Sequence, residues 1–480
     1  MNFSEKIKNL FKPMDLTKGN PLKSILIFML PILLSLLFQQ VYTISDAAIV
    51  GQNLSSSEVA GVNDVYGLFY IVIQFAFGCT AGFSVVTSNK AGAKDEKGMR
   101  KSFAVQIFLC ILISLILTII VLPLTENLLG IIGIKEDSSV YKYAYGYLFI
   151  IYAGLFTQIF YNLAVSVLRS IGDSLAPLMF LIGSTIINII LDVLFIVVFH
   201  FGVEGAAFAT ILSQFLAAFI SFIYIYFRYP ILRLRKENLR FSLSDIWLHI
   251  KLGLPLAFQF SILAIGLIIL QSAVIHFDLS GVENCQNGYG VAVKFNDLMM
   301  TPFNALGAAI LSYQGQNFGA GDLKRIQRGF KNSMVLMLAF YLIFGGAAAL
   351  LAINGTFASF FLSASSLNDR VRFYASTYIF IDSAFYFFLG SLFVFRNTLQ
   401  GIGKSVFPLL SGFAELIARS LICTFIPRLI DPANPISDKA YIGLCFSDSF
   451  AWCLAALVML YGIIHYVIKG KIMPEGKEID

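Results

Sequence analysis

Charge is scarce in this chain of 480 residues. Asp, Glu, Lys and Arg make up 13 % of it, about half the share usual in a soluble globular protein, while hydrophobic residues reach 58 %. That balance excludes a soluble enzyme or binding domain. Cysteine is sparse too: Cys79, Cys110, Cys285, Cys423, Cys445 and Cys453 lie mostly in apolar stretches with no Cys-x-x-Cys spacing, so neither a disulfide framework nor a thiolate metal site is implied. The four histidines, His200, His249, His276 and His465, show no ligand spacing. No short apolar core followed by a small-residue cleavage site opens the sequence, so the first apolar run is expected to direct insertion uncleaved. A net charge of +6 is too modest for a nucleic-acid footprint and reads as loop charge that fixes orientation. The alternating pattern of an outer-membrane barrel is also missing.

Long apolar runs are what the chain does have. Windows of about 20 residues give twelve spans, near 25–50, 62–87, 102–123, 142–167, 176–199, 205–228, 250–276, 288–312, 332–353, 371–397, 407–429 and 441–468. The expected fold is therefore an all-α polytopic membrane protein. Lys and Arg crowd the even-numbered connections (Lys90, Lys94, Lys97, Arg100, Lys101; Arg169; Arg228, Arg233, Arg235, Lys236, Arg240; Lys324, Arg325, Arg328, Lys331; Arg396, Lys404). The odd ones carry Glu58, Glu126, Asp137, Glu204, Asp278, Glu283 and Asp431, with Lys135, Arg370 and Lys439 as exceptions. By the positive-inside rule the even connections and both termini face the cytoplasm. Residues 1–20 suit either a short basic amphipathic helix on the membrane surface or a solvated tail.

The chain repeats itself. Ser88–Phe103 aligns with Gly315–Phe330 at a separation of 227 residues, keeping Gly92/Gly319, Ala93/Ala320, Asp95/Asp322, Lys97/Lys324 and Phe103/Phe330. Leu168–Pro177 aligns with Leu399–Pro408, and Leu30-Pro31 with Leu254-Pro255. Two lobes of six helices follow, and six per lobe gives both the same orientation, so their pseudo-twofold axis should run along the membrane normal. The expected divisions are a cytoplasmic segment 1–24, an N-lobe 25–228, a basic linker 229–249 interrupted by Pro230, a C-lobe 250–468 and a cytoplasmic tail 469–480. Such a duplication suits a carrier that alternates its access between the two sides.

The first span contains a carboxylate. Asp46 at bilayer depth costs roughly 2.5–3.5 kcal/mol on insertion scales, so it should face a protein interior or a water-filled cavity. Gln39, Tyr42 and Asp46 share one helical face. In the fifth span Ser184, Asn188 and Asp192 recur every four residues, offering a hydroxyl, an amide and a carboxylate, and Thr210 adds a hydroxyl from the sixth. Such oxygen donors suit a hard cation. Two carboxylates in a low-dielectric cavity suit a proton equally well.

These features together resemble the multidrug and toxin extrusion (MATE) transporters over residues 20–468. The resemblance rests on Asp46-Ala-Ala-Ile-Val-Gly51, the Gly-Ala-x-Asp loops of both halves, Leu168-Arg-Ser-Ile-Gly-Asp173, and Asn188-x-x-x-Asp192 followed by Gly205-Ala-Ala-x-Ala-Thr210. It implies export of amphipathic, often cationic organic compounds, driven by inward movement of H⁺ or Na⁺, with no other cofactor. It also implies cation coupling at Asp46, Asn188, Asp192 and Thr210, and substrate contacts at Gln39, Tyr147 and Asn162. An aromatic face such as that of Tyr147 holds an organic cation by about 0.5–2 kcal/mol. A monomer in a bacterial inner or plasma membrane is the expected setting.

The second half departs from the first. Leu270 stands where Asp46 would repeat and Cys423 where Asp192 would, and Gln259 stands in the seventh span where some members of the family carry Glu. Its own charges are Lys294, Asp297, Asp382, Glu415 and Arg419. Glu415 and Arg419, four apart, are expected to neutralise one another; Lys294 and Asp297 read as an internal pair or part of a second coupling or substrate site; Asp382 has no partner evident in sequence. Gly78-x-x-x-Gly82 is a helix-packing signal. A lipid-linked precursor flippase of similar lobes, a channel or receptor, and an intramembrane enzyme are the competing readings. They are disfavoured respectively by the shortage of buried basic residues in the N-half, by the duplication with buried carboxylates, and by the lack of a nucleophile or His–carboxylate set.

Overall fold

The computed structural model describes residues 12–278, 284–361 and 367–472. Residues 1–11, Glu283 and most of the tail 469–480 lie outside the described residues, as do the sequence readings that concern them. Among the described residues all regular structure is helical.

Twelve helical segments follow the twelve expected spans: α1 Pro21–Asn53, α2 Ser56–Gly92, α3 Glu96–Val121, α4 Tyr141–Ala153 continuing as Leu155–Ser170, α5 Leu175–Asp192 extended by a π-helical stretch Val193–Val198, and α6 Gly202–Arg228. Then come α7 Leu243–Ile275, α8 Asn284–Gly319, α9 Leu323–Phe340 running on through Tyr341–Gly345 and Gly346–Asn354, α10 Asp369–Gly401, α11 Val406–Ile430 and α12 Asp438–Gly462 with Ile463–Ile468. Among the described residues ten are long and apolar enough to cross a membrane, eleven with α4, which bends by 47°. The exception is α8, whose Asn284, Gln286, Asn287, Lys294, Asn296 and Asp297 dilute its apolar surface. At the bend in α4, Gly154 presses against the Ile211 side chain of α6, where a Cβ would not fit.

The repeats turn out to be structural devices. Asp95 and Asp322 are the N-caps of α3 and α9, accepting from Gly98 N and Arg325 N at 2.8 Å each. Leu168–Asp173 and Leu399–Lys404 form the same C-terminal closure: Gly172 and Gly403 take φ of +94° and +77°. The following residues, Asp173 and Lys404, donate to Leu168 O at 2.9 Å and Leu399 O at 2.8 Å. Only a residue without Cβ takes that left-handed turn without strain, and the closure satisfies carbonyls that the helix end leaves open.

Residues 12–20 are not helical. Pro13 lacks a donor, and the Asp15 carboxylate is taken up locally by Thr17 N and Thr17 Oγ1 at 3.1 and 2.5 Å, a competitor of helical bonding.

The chain separates into two compact units, one comprising Met1–Gly19, Ile27–Ser261 and Gly315–Gly321, the other Asn20–Leu26, Ile262–Gln314 and Asp322–Asp480. In the first, α2 packs on α4 and α3, and α6 on α4 and α5, around a core that includes Val65, Phe83, Leu148, Tyr152 and Leu163. The start of α7 belongs here because Gly78 and Gly82 of α2 meet the backbone of Ala257 and Gly253 so closely that a Cβ on either would overlap it. This is the contact that the Gly-x-x-x-Gly spacing signalled. In the second unit α12 lies along α11 and α10.

Candidate functional site

In the first unit α1, α4, α5 and α6 bring a polar cluster together. Asp192, the last α-helical residue of α5, is fully buried, as is Asn188 one turn before it. The Asp46 carboxyl of α1 is a close electrostatic neighbour of that of Asp192. Tyr42, one turn before Asp46, meets Thr210 Oγ1 of α6 through its hydroxyl at 3.4 Å. The buried Tyr147 ring of α4 also lies within electrostatic reach of Asp46, Asp192 and Tyr42. Directly after Asp192 the helix widens to π geometry over Val193–Val198, a distortion that occurs frequently at functional sites.

The hydrogen bonding of the cluster is incomplete. Asp46 Oδ1, both Asp192 carboxyl oxygens, and Asn188 Oδ1 and Nδ2 are buried without a hydrogen-bond partner. A buried polar group left unpaired costs about 1–3 kcal/mol, and more when charged. Two neighbouring carboxyls, with an amide one turn before Asp192 and a hydroxyl on Tyr42, are the kind of donors that a hard cation or a bound proton takes. Ser184, on the same face, is engaged elsewhere, donating to Ser213 O at 3.3 Å. Of the residues expected to contact substrate, Tyr147 is in the cluster, whereas Gln39 is exposed and Asn162 half-buried, neither with a side-chain bond to it among the described residues.

The second unit differs from its sequence expectation. Glu415 and Arg419 do not chiefly neutralise one another, for their closest approach is 3.7 Å. Glu415 instead receives Arg396 Nη2 at 2.6 Å, and Arg419 Nε donates to Asp448 Oδ1 at 2.5 Å. Arg396 is thus not a loop charge. It is buried in α10, where only a carboxylate from a neighbouring helix can balance it. Asp382 does have partners: Asn296 Nδ2 and Ser449 Oγ each donate to it at 3.1 Å. Tyr378 donates to Asp448, and Tyr386 to Asn296. Lys294 and Asp297 are not an internal pair; both are exposed and no ion pair joins them among the described residues. Three residues apart they share a face of α8, yet each ends exposed rather than on the other. Sequence reasoning passed over Asp448 and Asn296, although a carboxylate in the last span carries the same signal as Asp46.

The chain matches known proteins over most of its length. A profile of the MatE family matches residues 31–194 and 255–424. The chain is 25 % identical over 462 residues, 95 % of its own length and 96 % of the relative's, to a probable multidrug resistance protein, YoeA, of Bacillus subtilis (strain 168). It is 23 % identical over 413 residues, 84 % of this chain and 87 % of the other, to an FAD transporter of Shewanella oneidensis. The fold is that of a multidrug resistance MATE family transporter of the MOP superfamily in an outward-facing conformation, with a TM-score of 0.84 at 21 % identity, covering 96 % of this chain and 99 % of that one. It is likewise that of a MATE crystal structure in the straight conformation, with a TM-score of 0.83 at 20 % identity, covering 96 % and 100 %. With its two halves matched in order by one family profile, this multi-span helical membrane protein belongs to the MatE family of transporters.

Proposed function

We propose that this protein is a cation-coupled antiporter that exports amphipathic and cationic organic compounds across the plasma membrane by alternating access. The observation that carries the reading is the Asp46–Asp192 pair, of which Asp46 Oδ1 and both oxygens of the fully buried Asp192 are left without hydrogen-bond partners. The transported H⁺ or Na⁺ supplies the missing charge there. Asn188 and Thr210 would add neutral oxygens to an Na⁺, and a proton would need only the two carboxyls. Inward movement of one charge is worth about 2.3 kcal/mol per 100 mV. Binding it neutralises the cluster and so weakens the site for a cationic cargo bound near Tyr147, whose ring face suits an organic cation. Relatives named for multidrug resistance in Bacillus subtilis support such a cargo.

Both termini and the basic connections face the cytoplasm in this reading, by the Lys and Arg bias. The FAD transporter relative and a lipid-linked precursor flippase suggest anionic cargo instead. Against that stands the pairing of Arg396 and Arg419 with carboxylates in the second unit.

Proteoliposomes carrying imposed Na⁺ or pH gradients, tested with several organic cations, decide the matter. Wild type is expected to drive efflux under one gradient, and Asp46→Asn is expected to abolish it while folding normally. Full transport by Asp46→Asn would overturn the reading.

A further inference from the structure

Within the first unit the ends of α2 and α8 cross at their repeat-related glycines. Gly92 sits against the Gln316 carbonyl and Gly319 against the Asn89 carbonyl, each so closely that a Cβ would overlap backbone. Asn89 and Gln316 correspond in the repeat just as Gly92 and Gly319 do, so the two contacts are the same contact made twice. A segment from the start of the chain lies over this crossing. Leu16 is fully buried, its N–H donates to Gln316 Oε1 at 3.0 Å, and its carbonyl accepts from Asn317 Nδ2 at 3.2 Å. Gln316 Nε2 then reaches the end of α4, donating to Ser170 O at 2.9 Å. Met14 N donates to Gly172 O at 2.9 Å. The Asp15–Thr17 turn, with Lys18 Nζ 3.1 Å from Asp15, holds the segment in shape.

We propose that residues 14–16 are a latch on the α2–α8 crossing, with the Gln316 side chain as its pin, and that the latch must release each time the crossing parts. The proposal rests on the alternating-access reading above and on its orientation, which puts the crossing on the cytoplasmic side. One amide joins three chain segments: its oxygen accepts from the latch, and its nitrogen donates to the end of α4. The α8 end cannot leave Asn89 without breaking both bonds. The bonds are buried, so neither is replaced by water until the crossing has opened. Local chain geometry pre-forms the latch, so that it closes again at little entropic cost. The two glycine contacts of the crossing are related by the repeat, and the segment that bonds to Gln316 and Asn317 comes from ahead of α1.

The test needs no cargo or gradient. In a background without the six native cysteines, Ser88→Cys places a thiol inside the crossing, where a Cβ on Gly315 would touch the Ser88 hydroxyl. Its labelling by a membrane-impermeant maleimide is followed in sealed inside-out and right-side-out vesicles. Gln316→Ala, which removes both bonds of the pin, and Leu16→Ala, which keeps the backbone bonds but removes the buried side chain that seats the latch, are each expected to raise the labelling rate at least about tenfold in inside-out vesicles. Thermal unfolding confirms that each variant is folded, and Leu16→Ala carries the test alone if Gln316→Ala does not fold. An unchanged or slower rate, or a rise confined to right-side-out vesicles, overturns the latch. Failure of gradient-driven efflux in proteoliposomes with accelerated labelling would instead overturn the transport reading and leave the latch standing.

Discussion

Arg419 of α11 is bonded to Asp448 of α12, its Nε 2.5 Å from Oδ1, in preference to Glu415 one turn away on its own helix. All three are buried. Removing one member leaves a buried charge without its partner, which costs about 3–5 kcal/mol, whereas replacing a pair by apolar residues of similar volume is often neutral. Arg419→Met alone is therefore expected to lower thermal stability in detergent markedly, and Arg419→Met with Asp448→Leu to recover much of the loss. A double-mutant cycle by thermal unfolding measures the difference; strictly additive losses would mean that the pair contributes nothing as a pair.

Lys94 takes the left-handed conformation, with φ of 56°, at the position where the second half has Gly321, with φ of 73°. The left-handed region costs an L-residue roughly 1–2 kcal/mol, and glycine's extra freedom in the unfolded chain offsets roughly 0.5–1 of that. Lys94→Gly should raise the melting temperature slightly, and Gly321→Ala should lower it. Opposite signs at these repeat-related positions are the informative result.

Span positions were legible in the sequence because an apolar run of 20 residues has few alternatives in a membrane, and the polar cluster was legible because a carboxylate there is costly enough to need a reason. The charges of the second half were not. Arg396 follows an apolar run and reads as the first charge of a loop, yet its partner is 19 residues on. Arg419 and Asp448 are 29 apart, and Asn296 and Asp382 are 86 apart. Helical spacing reveals partners three or four residues away, so Glu415 and Arg419 looked like each other's partner. Which faces of α10, α11 and α12 meet is set by packing across the unit. The repeated Asp95/Asp322 and Gly172/Gly403 were visible as repeats, but their roles as helix cap and helix closure emerge only from the backbone.

The Asp95 cap gives a pH dependence with a definite sign. Burial pushes its carboxyl up, but the Gly98 N–H and the Lys90 ammonium, 3.1 Å away, outweigh that and hold it below its ordinary value of 3.8. A carboxyl held lower in the folded state contributes stability above its unfolded value and loses it as pH falls through the folded one. Asp95→Ala should cost about 1 kcal/mol at neutral pH, the usual worth of a cap. Unfolding of wild type and variant at pH 7 and pH 3 should show the gap narrowing in acid; a gap that widens there contradicts the assignment.

Gly82 and Gly51 give opposite outcomes for the same substitution. A Cβ on Gly82 would overlap Gly253 Cα and come within 2.7 Å of Leu252 O, backbone atoms that cannot swing aside, whereas nothing lies within 4 Å of one on Gly51. Overpacking costs about 1–3 kcal/mol, while alanine in place of a helical glycine gains up to roughly 0.5–1, less in a last turn such as that of Gly51. Gly82→Ala is expected to reduce yield and melting temperature, and Gly51→Ala to leave the first unchanged and raise the second. Equal behaviour would mean that α2 and α7 do not meet at Gly82.

Asp46 and Asp192 offer a test that separates a working site from a structural one. If the two carboxyls bind one cation together, either single substitution to Asn removes the site, so the double variant should transport no worse than the poorer single one. Two residues acting independently would give losses that multiply. Stability should move the other way. Asp192 is fully buried, with both carboxyl oxygens unpartnered, so Asn in its place keeps the shape and removes a charge that no neighbouring base balances. Asp192→Asn is therefore expected to lose gradient-driven efflux yet unfold at the same temperature as wild type or a higher one. A residue retained only to hold α5 against α1 would instead lose stability and activity together, and that outcome would remove Asp192 from the coupling site.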